Sequence, residues 1–445
     1  MDYQLPRPLN PDPDRGSNLR RTLRLLNNST PTNRLPVKIL IYGQSYSSQK
    51  WWQSLASVLR ARFPYADLTI ENRALGGFAS QYLVHTAEAD LYPYYPDCVI
   101  FRVLGDHHCY EDIVANIRKR TTAEVLLWNV HLDSTRQEVE NDDSSFKSWQ
   151  WNRWYGRDFI PEIADTYGCE LVDIFTEWKQ YLKDTGLSHL DFAQSSIDRH
   201  FNDRGNWLFA QLIQRRFETG KSSYYDKEPV NEYAIDRCTF NDGISEFDFT
   251  GNRIDIIADP LMETPGARID ILIDGKPPSE HTELYCFSRV SSISRSSFPA
   301  LLRVKNNSPL IAEDWKLRFT KVTPDATELA FEVSGSITGP DGAGNNHETF
   351  VSRSGRIVIE PQMWHLAREH QILKTSPQAG QEITWSAVPY FTDTFICPAS
   401  SDASRESAIC AAQGLTNAKH TIGLRCRDLQ ASGIKALRVY TPPVI

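Results

Sequence analysis

Five apolar, strand-like runs separated by helical periods fill the first half of the chain, and this alternation constrains the fold most. The runs are VKILIY, ADLTIEN, DCVIFRVLG, AEVLLWNV and CELVDIF. After the first run, apolar residues recur at helical spacing, at Trp52, Leu55, Ala56, Leu59 and Phe63. Near-continuous apolar strands alternating with helices predict a parallel sheet covered by helices on both faces. Residues that follow the strands would then meet at the carboxyl edge of the sheet, where such folds bind ligands.

After about Gly220 the pattern changes to strands separated by turn clusters, which is typical of β-sandwiches. A chain of 445 residues is also too long for one ordinary core. We therefore predict an N-terminal extension and an α/β domain, followed by a jelly-roll-like β-sandwich with a second β domain inserted in it. The predicted bounds are 1–34 for the extension, 35–220 for the α/β domain, 225–299 with 398–445 for the sandwich, and 300–397 for the insertion.

Composition and charge narrow the class of partner. The formal net charge of -8 argues against a nucleic-acid surface, which needs a basic patch. No apolar run reaches the length of a membrane span, so we predict no membrane partner. The N-terminal MDYQLPRPLNPDPDRGSN is polar and proline-rich, so we expect no signal peptide on this chain. A cytoplasmic location and secretion after removal of a signal both stay open, as does the oligomeric state.

Ser45 follows the first strand in VKILIYGQSYSS, at a sharp strand-to-helix junction. A nucleophile would sit there, and so would an ordinary helix cap. Three more polar segments follow later strands: NRALGGFAS, VLGDHHCYED and SSIDRHFNDRGNW. All four segments are expected at one end of the sheet, so the serine, glycine amides, polar donors and His200 would converge.

In this order, GQS, NRALGG, LGDHH and DRHFNDRG resemble the four sequence blocks of the SGNH (GDSL) hydrolases. The resemblance covers roughly residues 35–218. It implies a three-layer, flavodoxin-like α/β domain that hydrolyses esters with a serine nucleophile. It maps the nucleophile to Ser45, a glycine oxyanion donor to Gly77 and the histidine base to His200.

The chemistry of these residue types agrees with that mapping. A serine hydroxyl is a poor nucleophile unless a base takes its proton, and histidine ordinarily titrates near neutral pH. A tetrahedral intermediate needs hydrogen-bond donors aimed at its oxyanion, and the amides of Ser45 and Gly77 could supply two. Glycine suits this position because no Cβ blocks close approach.

The sequence departs from the family blocks at three positions. Gln44 replaces the usual aspartate, as in some carbohydrate acetylesterases. His107 stands where an asparagine oxyanion donor is expected, and it either donates from its one neutral N–H or is a structural histidine. The aspartate expected three residues before His200 is replaced by Ile197. We predict that Asp198 orients the imidazole instead, with a backbone carbonyl as the alternative.

Polar residues after the third strand raise two further questions. Asp106, His107 and His108 invite a metal-site interpretation, but adjacent histidines on a strand end point to opposite sides and no third ligand is suitably spaced. We predict neither a metal nor a cofactor. Arg102, inside an apolar strand, needs a partner, which is either a structural ion pair or an acidic substrate group. Gln44 and Asp106 are further candidates for substrate contact.

Aromatic residues near the predicted site suggest a sugar substrate. The segment DDSSFKSWQWNRWYGRD interleaves polar and aromatic residues, and we predict that it forms a wall of the cleft. Its Trp151 and Trp154 could stack on sugar rings, with ordinary packing as the alternative. The β-sandwich resembles accessory domains of carbohydrate esterases, and a structural or oligomerising role is its alternative.

These observations predict an SGNH-type serine esterase that removes acyl groups, above all acetyl groups, from an oligo- or polysaccharide. Ser45 attacks the ester carbonyl, His200 transfers the proton and Asp198 orients His200. The amides of Ser45 and Gly77, together with His107, hold the oxyanion. Two alternatives to the esterase prediction stay open: a carbohydrate-binding protein on a hydrolase scaffold, and a site rebuilt for another reaction on glycans.

Overall fold

The structure is a computed structural model that describes residues 3–9, 15–131, 151, 153–218, 228–259, 268–294, 297–398, 402, 404–426 and 433–443. Within these residues the first half of the chain contains a five-stranded sheet. Its strands are β1 (Pro36–Gly43), β2 (Asp67–Asn72), β3 (Cys98–Arg102), β4 (Glu124–Trp128) and β5 (Glu170–Val172). The order is β2-β1-β3-β4-β5 and all neighbours are parallel. This is the order of flavodoxin-like folds, so the predicted α/β fold class is confirmed.

Helices cover both faces of this sheet because successive strand residues point to opposite sides. The helices are α1 (Arg20–Asn28), α2 (Trp51–Arg62), α3 (Ser80–Asp90), α4 (His107–Arg120), α5 (Ile160–Thr166), α6 (Ile174–Thr185) and α7 (Asp203–Gln214). Leu40 and Tyr42 pack in one cluster with α3, α4 and α5, whereas Ile39 and Ile41 pack in another with α1, α2, α6 and α7. No helix in the described part of the chain is long and apolar enough to cross a membrane.

Two buried carboxylates hold the segment before β1 against the sheet. Glu124, at the start of β4, accepts the backbone N–H groups of Arg21 and Thr22, each at 2.8 Å. Glu170, at the start of β5, accepts the N–H of Gly16 at 2.9 Å. Because these contacts lie at the amino ends of the strands, the N-terminal segment packs at the edge opposite the predicted site.

The second half of the chain forms antiparallel sheets, as the change of pattern after Gly220 predicts. One sheet has seven strands: β6 (Val230–Ala234), β7 (Thr239–Asn241), β8 (Ile244–Ala258), β9 (Arg268–Ile273), β17 (Thr394–Ile396), β18 (Ala408–Arg425) and β19 (Ile434–Tyr440). Their order in the sheet is β17-β9-β18-β8-β19-β6, with β7 paired to β8.

The chain between β9 and β17 contains β10 (Tyr285–Phe287), β11 (Glu313–Val322), β12 (Leu329–Gly335), β13 (Gly339–Asn345), the pair β14 (Phe350–Val351) and β15 (Val358–Ile359), α8 (Leu366–Leu373) and β16 (Glu382–Pro389). Five of these strands form an antiparallel sheet with the order β10-β16-β11-β12-β13. Strand β10 already belongs to this sheet, although it precedes the predicted start of the insertion. The domain bounds given above stay a prediction.

The β segments pack directly on the α/β domain. Buried residues of the five-stranded antiparallel sheet lie in the same apolar cluster as those of α3 and α4. Arg289 binds the buried Asp90 carboxylate at the end of α3 with two hydrogen bonds of 2.7 Å. From the seven-stranded sheet, Asn252 accepts a hydrogen bond from the Tyr95 hydroxyl at 2.7 Å. The β segments are therefore joined to the α/β domain by both apolar and buried polar contacts.

Candidate active site

Ser45 lies in a tight turn directly after β1. The Gln44 carbonyl accepts the N–H of Ser47 at 2.9 Å, and the Ser45 carbonyl accepts the Ser48 hydroxyl at 2.8 Å. A Cβ added to Gly43 would lie 2.1 Å from the Arg102 carbonyl oxygen, so only glycine allows β1 to approach β3 there. The half-buried Ser45 is thus held at the carboxyl edge of the sheet.

The second block lies beside Ser45. The Asn72 side chain donates to the Ser47 carbonyl at 2.8 Å, which ties the end of β2 to the turn after β1. A Cβ added to Gly76 would lie 3.8 Å from the Ser45 Cβ, so the two residues are in near contact. Gly77, the predicted oxyanion donor, is exposed and has φ +80°, a backbone conformation that glycine adopts without strain.

The third block is joined to the first by Gln44. Its side-chain oxygen accepts the backbone N–H of Leu104 at 3.0 Å. The Ser80 hydroxyl, from the end of the second block, donates to the Asp106 carbonyl at 2.6 Å. Gln44 therefore acts as a cross-link between the turns after β1 and β3. Its predicted contact with substrate stays untested.

Asp106, His107 and His108 lie at the start of α4, not at a strand end. Asp106 is the N-cap and accepts the backbone N–H of Cys109 at 2.9 Å, a bond that lowers the pKa of its carboxyl group. The rings of His107 and His108 lie 4.0 Å apart, so the expectation that they point to opposite sides is wrong. The capping aspartate starts the helix here and brings the rings together. Among the described residues no cluster of three ligating side chains could hold a metal ion.

The fourth block places a carboxylate on the histidine. Asp198 Oδ1 lies 2.6 Å from His200 Nδ1 and also accepts the His200 backbone N–H at 3.0 Å. The Ser195 hydroxyl accepts the Asp198 N–H at 2.9 Å, which fixes the turn that carries the carboxylate. The bond from the His200 N–H is the main reason that the pKa of Asp198 is lowered. Asp198 is thus ionised and in position to orient the imidazole.

Tyr46, next to Ser45, joins the first block to the last. Its ring centroid lies 5.1 Å from that of His200, and its hydroxyl donates to the Arg199 carbonyl at 3.2 Å. Gln49 accepts the backbone N–H of Phe201 at 2.7 Å. The structure therefore brings the segments of Ser45 and His200 to the same end of the sheet.

Arg102 and His131 are buried beneath this site. The Arg102 side chain lies over Trp128, with 4.7 Å from its guanidinium carbon to the ring centroid, and the residue is only 2% exposed. This burial contradicts a contact between Arg102 and substrate. His131 packs on Tyr46 at a centroid distance of 4.7 Å. Burial, reinforced by the charge of Arg102, lowers the pKa of His131 to about 3, so its ring is neutral at neutral pH.

Trp151 and Trp154, the two candidates for stacking on a sugar ring, lie near the third block. Trp154 is 37% exposed, and its ring stands edge-on to that of His107 at 5.5 Å. Trp151 stacks on Tyr155 at 4.5 Å, and the Tyr155 hydroxyl donates to the Val103 carbonyl at 3.0 Å. The rest of the predicted cleft wall, residues 142–150 and 152, lies outside the described residues. Of the two tryptophans, Trp154 exposes the surface that a sugar could contact.

Four residues of this region escaped the sequence analysis: Tyr46, His131, Phe298 and His365. His131 directly follows the run AEVLLWNV, so its place after a strand was a usable signal. Phe298 and His365 come from the β segments, and both contact Phe78 in the second block, with ring centroids 5.2 Å and 4.6 Å away. No local pattern in the sequence indicates these two contacts.

No protein-family model and no curated protein matches the chain. Among solved structures, a two-domain esterase active on acetylated mannans is 14% identical over 95% of both chains, with a TM-score of 0.35. An acetylxylan esterase from Geobacillus stearothermophilus is 14% identical over 43% of this chain and 97% of its own, with a TM-score of 0.36. An α/β hydrolase from the metagenome of Lake Arreo, Spain, is 18% identical over 42% of this chain and 98% of its own, with a TM-score of 0.35.

At this level of similarity the fold assignment rests on the strand order itself and not on the matched structures. The order β2-β1-β3-β4-β5, the four blocks gathered at its carboxyl edge and the antiparallel sheets that follow all agree with the resemblance given by the sequence. The chain resembles the SGNH-type carbohydrate esterases.

Proposed function

We propose that this protein is a serine esterase that removes acyl groups, in particular acetyl groups, from a carbohydrate. The observation that carries the proposal is the contact of Asp198 with His200, whose ring packs on Tyr46, the residue after Ser45. A carboxylate, an imidazole and a serine in one region are the parts that nucleophilic ester hydrolysis needs.

In the proposed reaction, the Ser45 hydroxyl attacks the ester carbonyl carbon while His200 accepts its proton. Asp198 holds the ring through Nδ1, which leaves Nε2 to serve the serine and stabilises the imidazolium that forms. Collapse of the tetrahedral intermediate releases the sugar hydroxyl, which takes the proton from His200. Water, deprotonated by His200, then hydrolyses the acyl-enzyme and releases the carboxylic acid.

The oxyanion would be held by the backbone N–H groups of Ser45 and Gly77. Support comes from the near contact of Gly76 with Ser45, which brings the second block beside the reacting hydroxyl. His107 remains a candidate third donor. Its ring packs among His108, Trp154 and Phe159 at centroid distances of 4.0, 5.5 and 5.8 Å, respectively.

A carbohydrate substrate is supported by the half-exposed Trp154 beside the third block. An aromatic face can stack on the apolar face of a sugar ring, while the polar N–H of the tryptophan ring stays in contact with water. We assign no contact with substrate to Arg102, because it is buried. The predicted substrate contacts of Asp106 and Trp151 stay proposals, as does that of Gln44.

Hydrolysis of p-nitrophenyl acetate tests the proposal. We expect release of p-nitrophenol by the wild type and its loss in Ser45→Ala and in His200→Ala. Ser48→Ala is the matched control, since this neighbouring exposed serine should keep activity within about fivefold after losing one hydrogen bond. Turnover by Ser45→Ala at the rate of the wild type would overturn the mechanism. Absence of any activity in the wild type, on this ester and on acetylated oligosaccharides, would favour the carbohydrate-binding alternative.

A further inference from the structure

Phe298, which lies in the chain between β10 and β11, contacts the proposed oxyanion loop. A Cβ added to Gly77 would lie 3.3 Å from Phe298 Cζ, so the ring of Phe298 lies against this glycine. Phe298 is only 7% exposed, and its ring centroid lies 5.2 Å from that of Phe78. A side chain from outside the α/β domain therefore lies against the loop that carries the Gly77 amide.

His365, at the start of α8, packs on Phe78 of the same loop. Its ring centroid lies 4.6 Å from Phe78, 5.3 Å from Tyr82 and 5.5 Å from Phe298. It is 2% exposed, and its backbone N–H donates to the Ala300 carbonyl at 3.1 Å. This bond ties the backbone of His365 to the segment that carries Phe298, and the two rings contact each other.

The same segment is anchored to the second block at a further point. Arg289 forms its double hydrogen bond with Asp90 and also donates to the Arg73 carbonyl at 3.1 Å. Arg73 immediately follows Asn72, the end of β2, and Asp90 ends α3. Contacts from the β segment thus hold the second block before the loop, at the loop and after it.

Support of this kind matters because an oxyanion donor acts by being held in place before the reaction. Gly77 has φ +80°, is exposed and has no side chain of its own to fix it. Glycine has more conformational freedom than any other residue, so a free Gly76–Gly77 segment would sample many orientations of its amides. Donors contribute to catalysis only when they already point to the developing charge.

We infer that the β segment between β9 and β17 is part of the catalytic apparatus, with Phe298 and His365 as positioning residues that hold the Gly77 amide in its donating orientation. The inference rests on the proposed function. Its chemical consequence is that loss of the Phe298 ring slows acyl transfer itself, whereas substrate binding changes little.

Steady-state kinetics of Phe298→Ala on p-nitrophenyl acetate tests this inference. We expect kcat to fall about tenfold or more and KM to change by less than about threefold, since a small misplacement of a catalytic group is costly. The rate of labelling by a fluorophosphonate should fall in parallel. Phe298→Leu, which refills part of the space, should recover part of kcat.

Phe350→Ala is the matched control. Phe350 is also 7% exposed and packs on Phe331 inside the same β segment, at a centroid distance of 5.2 Å. It should lower the thermal midpoint of unfolding and leave kcat near that of the wild type. Equal kcat in folded Phe298→Ala and wild type would overturn the inference, and so would an equal loss of kcat in Phe350→Ala. If Phe298→Ala does not fold, a kcat of Phe298→Leu equal to that of the wild type would overturn the inference instead.

These results separate the inference from the proposed function. Activity that depends on Ser45 but not on Phe298 would remove only the role of the β segment. A wild type without activity that depends on Ser45 would remove the proposed function and the inference with it.

Discussion

His200 and Asp198 are joined by a hydrogen bond of 2.6 Å between Nδ1 and Oδ1, although one residue separates them in the chain. The same carboxylate oxygen accepts the His200 backbone N–H at 3.0 Å. Ile197, at the position where the family pattern has its aspartate, is 93% exposed. A carboxylate two residues before the histidine therefore reaches the ring because the turn fixed by Ser195 folds it back.

Replacing this carboxylate should reduce turnover. We expect Asp198→Asn to lower kcat about 100-fold, because the amide leaves the imidazolium without its opposite charge. The loss should be smaller than the about 10,000-fold seen for buried triad aspartates, since the Asp198 side chain is 55% exposed. Release of p-nitrophenol measures it.

Asp191→Asn is a suitable control for that variant. Asp191 is an exposed carboxylate that accepts the Ser188 N–H at 2.8 Å in the turn before the histidine loop. Its replacement should leave kcat within about twofold, as is usual for surface changes. A kcat of Asp198→Asn equal to that of Asp191→Asn would exclude Asp198 from orienting the histidine and favour a backbone carbonyl.

Tyr46 should act through its ring more than through its hydroxyl. The ring packs on both His200 and His131, at centroid distances of 5.1 and 4.7 Å, and the hydroxyl donates to the Arg199 carbonyl at 3.2 Å. We expect Tyr46→Phe to keep kcat within about fivefold, the effect of one lost hydrogen bond. Tyr46→Ala removes the surface that His200 rests on and should lower kcat at least tenfold, about the cost of a misplaced base. Equal kinetics in the two variants would show that the ring does not position His200.

His131 should make stability depend on acidity. Its pKa is lowered from 6.5 to about 3 in the folded protein, mainly by burial, so below pH 6.5 the unfolded chain takes up a proton that the folded protein does not. The free energy of unfolding then falls as the pH falls from 6.5 toward 3, by up to about 1.4 kcal/mol per pH unit from this residue.

His131→Phe should remove this part of the pH dependence. In urea unfolding between pH 4.5 and 8, the stability of the wild type should fall more steeply than that of His131→Phe once the pH is below about 6.5, the ordinary pKa of histidine. Between pH 7 and 8, where the ring is neutral in both states, the two curves should run parallel. Parallel curves over the whole range would contradict the buried, neutral state of His131.

Trp154 should affect sugar binding and not the chemical step. Loss of a stacking face worth about 1 to 1.5 kcal/mol corresponds to a KM about tenfold higher for an acetylated oligosaccharide. We expect this rise in Trp154→Ala, together with unchanged kinetics on p-nitrophenyl acetate, which has no sugar. A KM for the oligosaccharide equal to that of the wild type would remove Trp154 from the binding surface.

Local patterns predicted the strands, their order of appearance and the polar segments that follow them. The apolar runs reveal β1, β3 and β4 because buried parallel strands are apolar on both faces, whereas β2, at the edge of the sheet, buries only Ile70. The pattern was less informative where an element begins. Helix α2 starts at Trp51, which is fully buried, whereas Trp52, expected on the inward stripe, is only half-buried.

Contacts between distant parts of the chain were beyond the sequence. The polar run after β3 indicates a strand end, but Asp106 accepts the backbone N–H of Cys109 and starts α4 there. Phe298 lies more than 200 residues from Gly77, and no sequence pattern around either residue indicates their contact. Such contacts depend on how the sheets dock, which periodicity and spacing do not encode.

The proposed nucleophile, Ser45, offers the most direct test of the central claim. The protein would be treated with a fluorophosphonate, digested, and its peptides mapped by mass spectrometry. We predict one adduct, on Ser45, formed at a rate that Asp198→Asn lowers and that His200→Ala abolishes. An unlabelled Ser45 in protein that hydrolyses p-nitrophenyl acetate, or an adduct on another serine, would contradict the account.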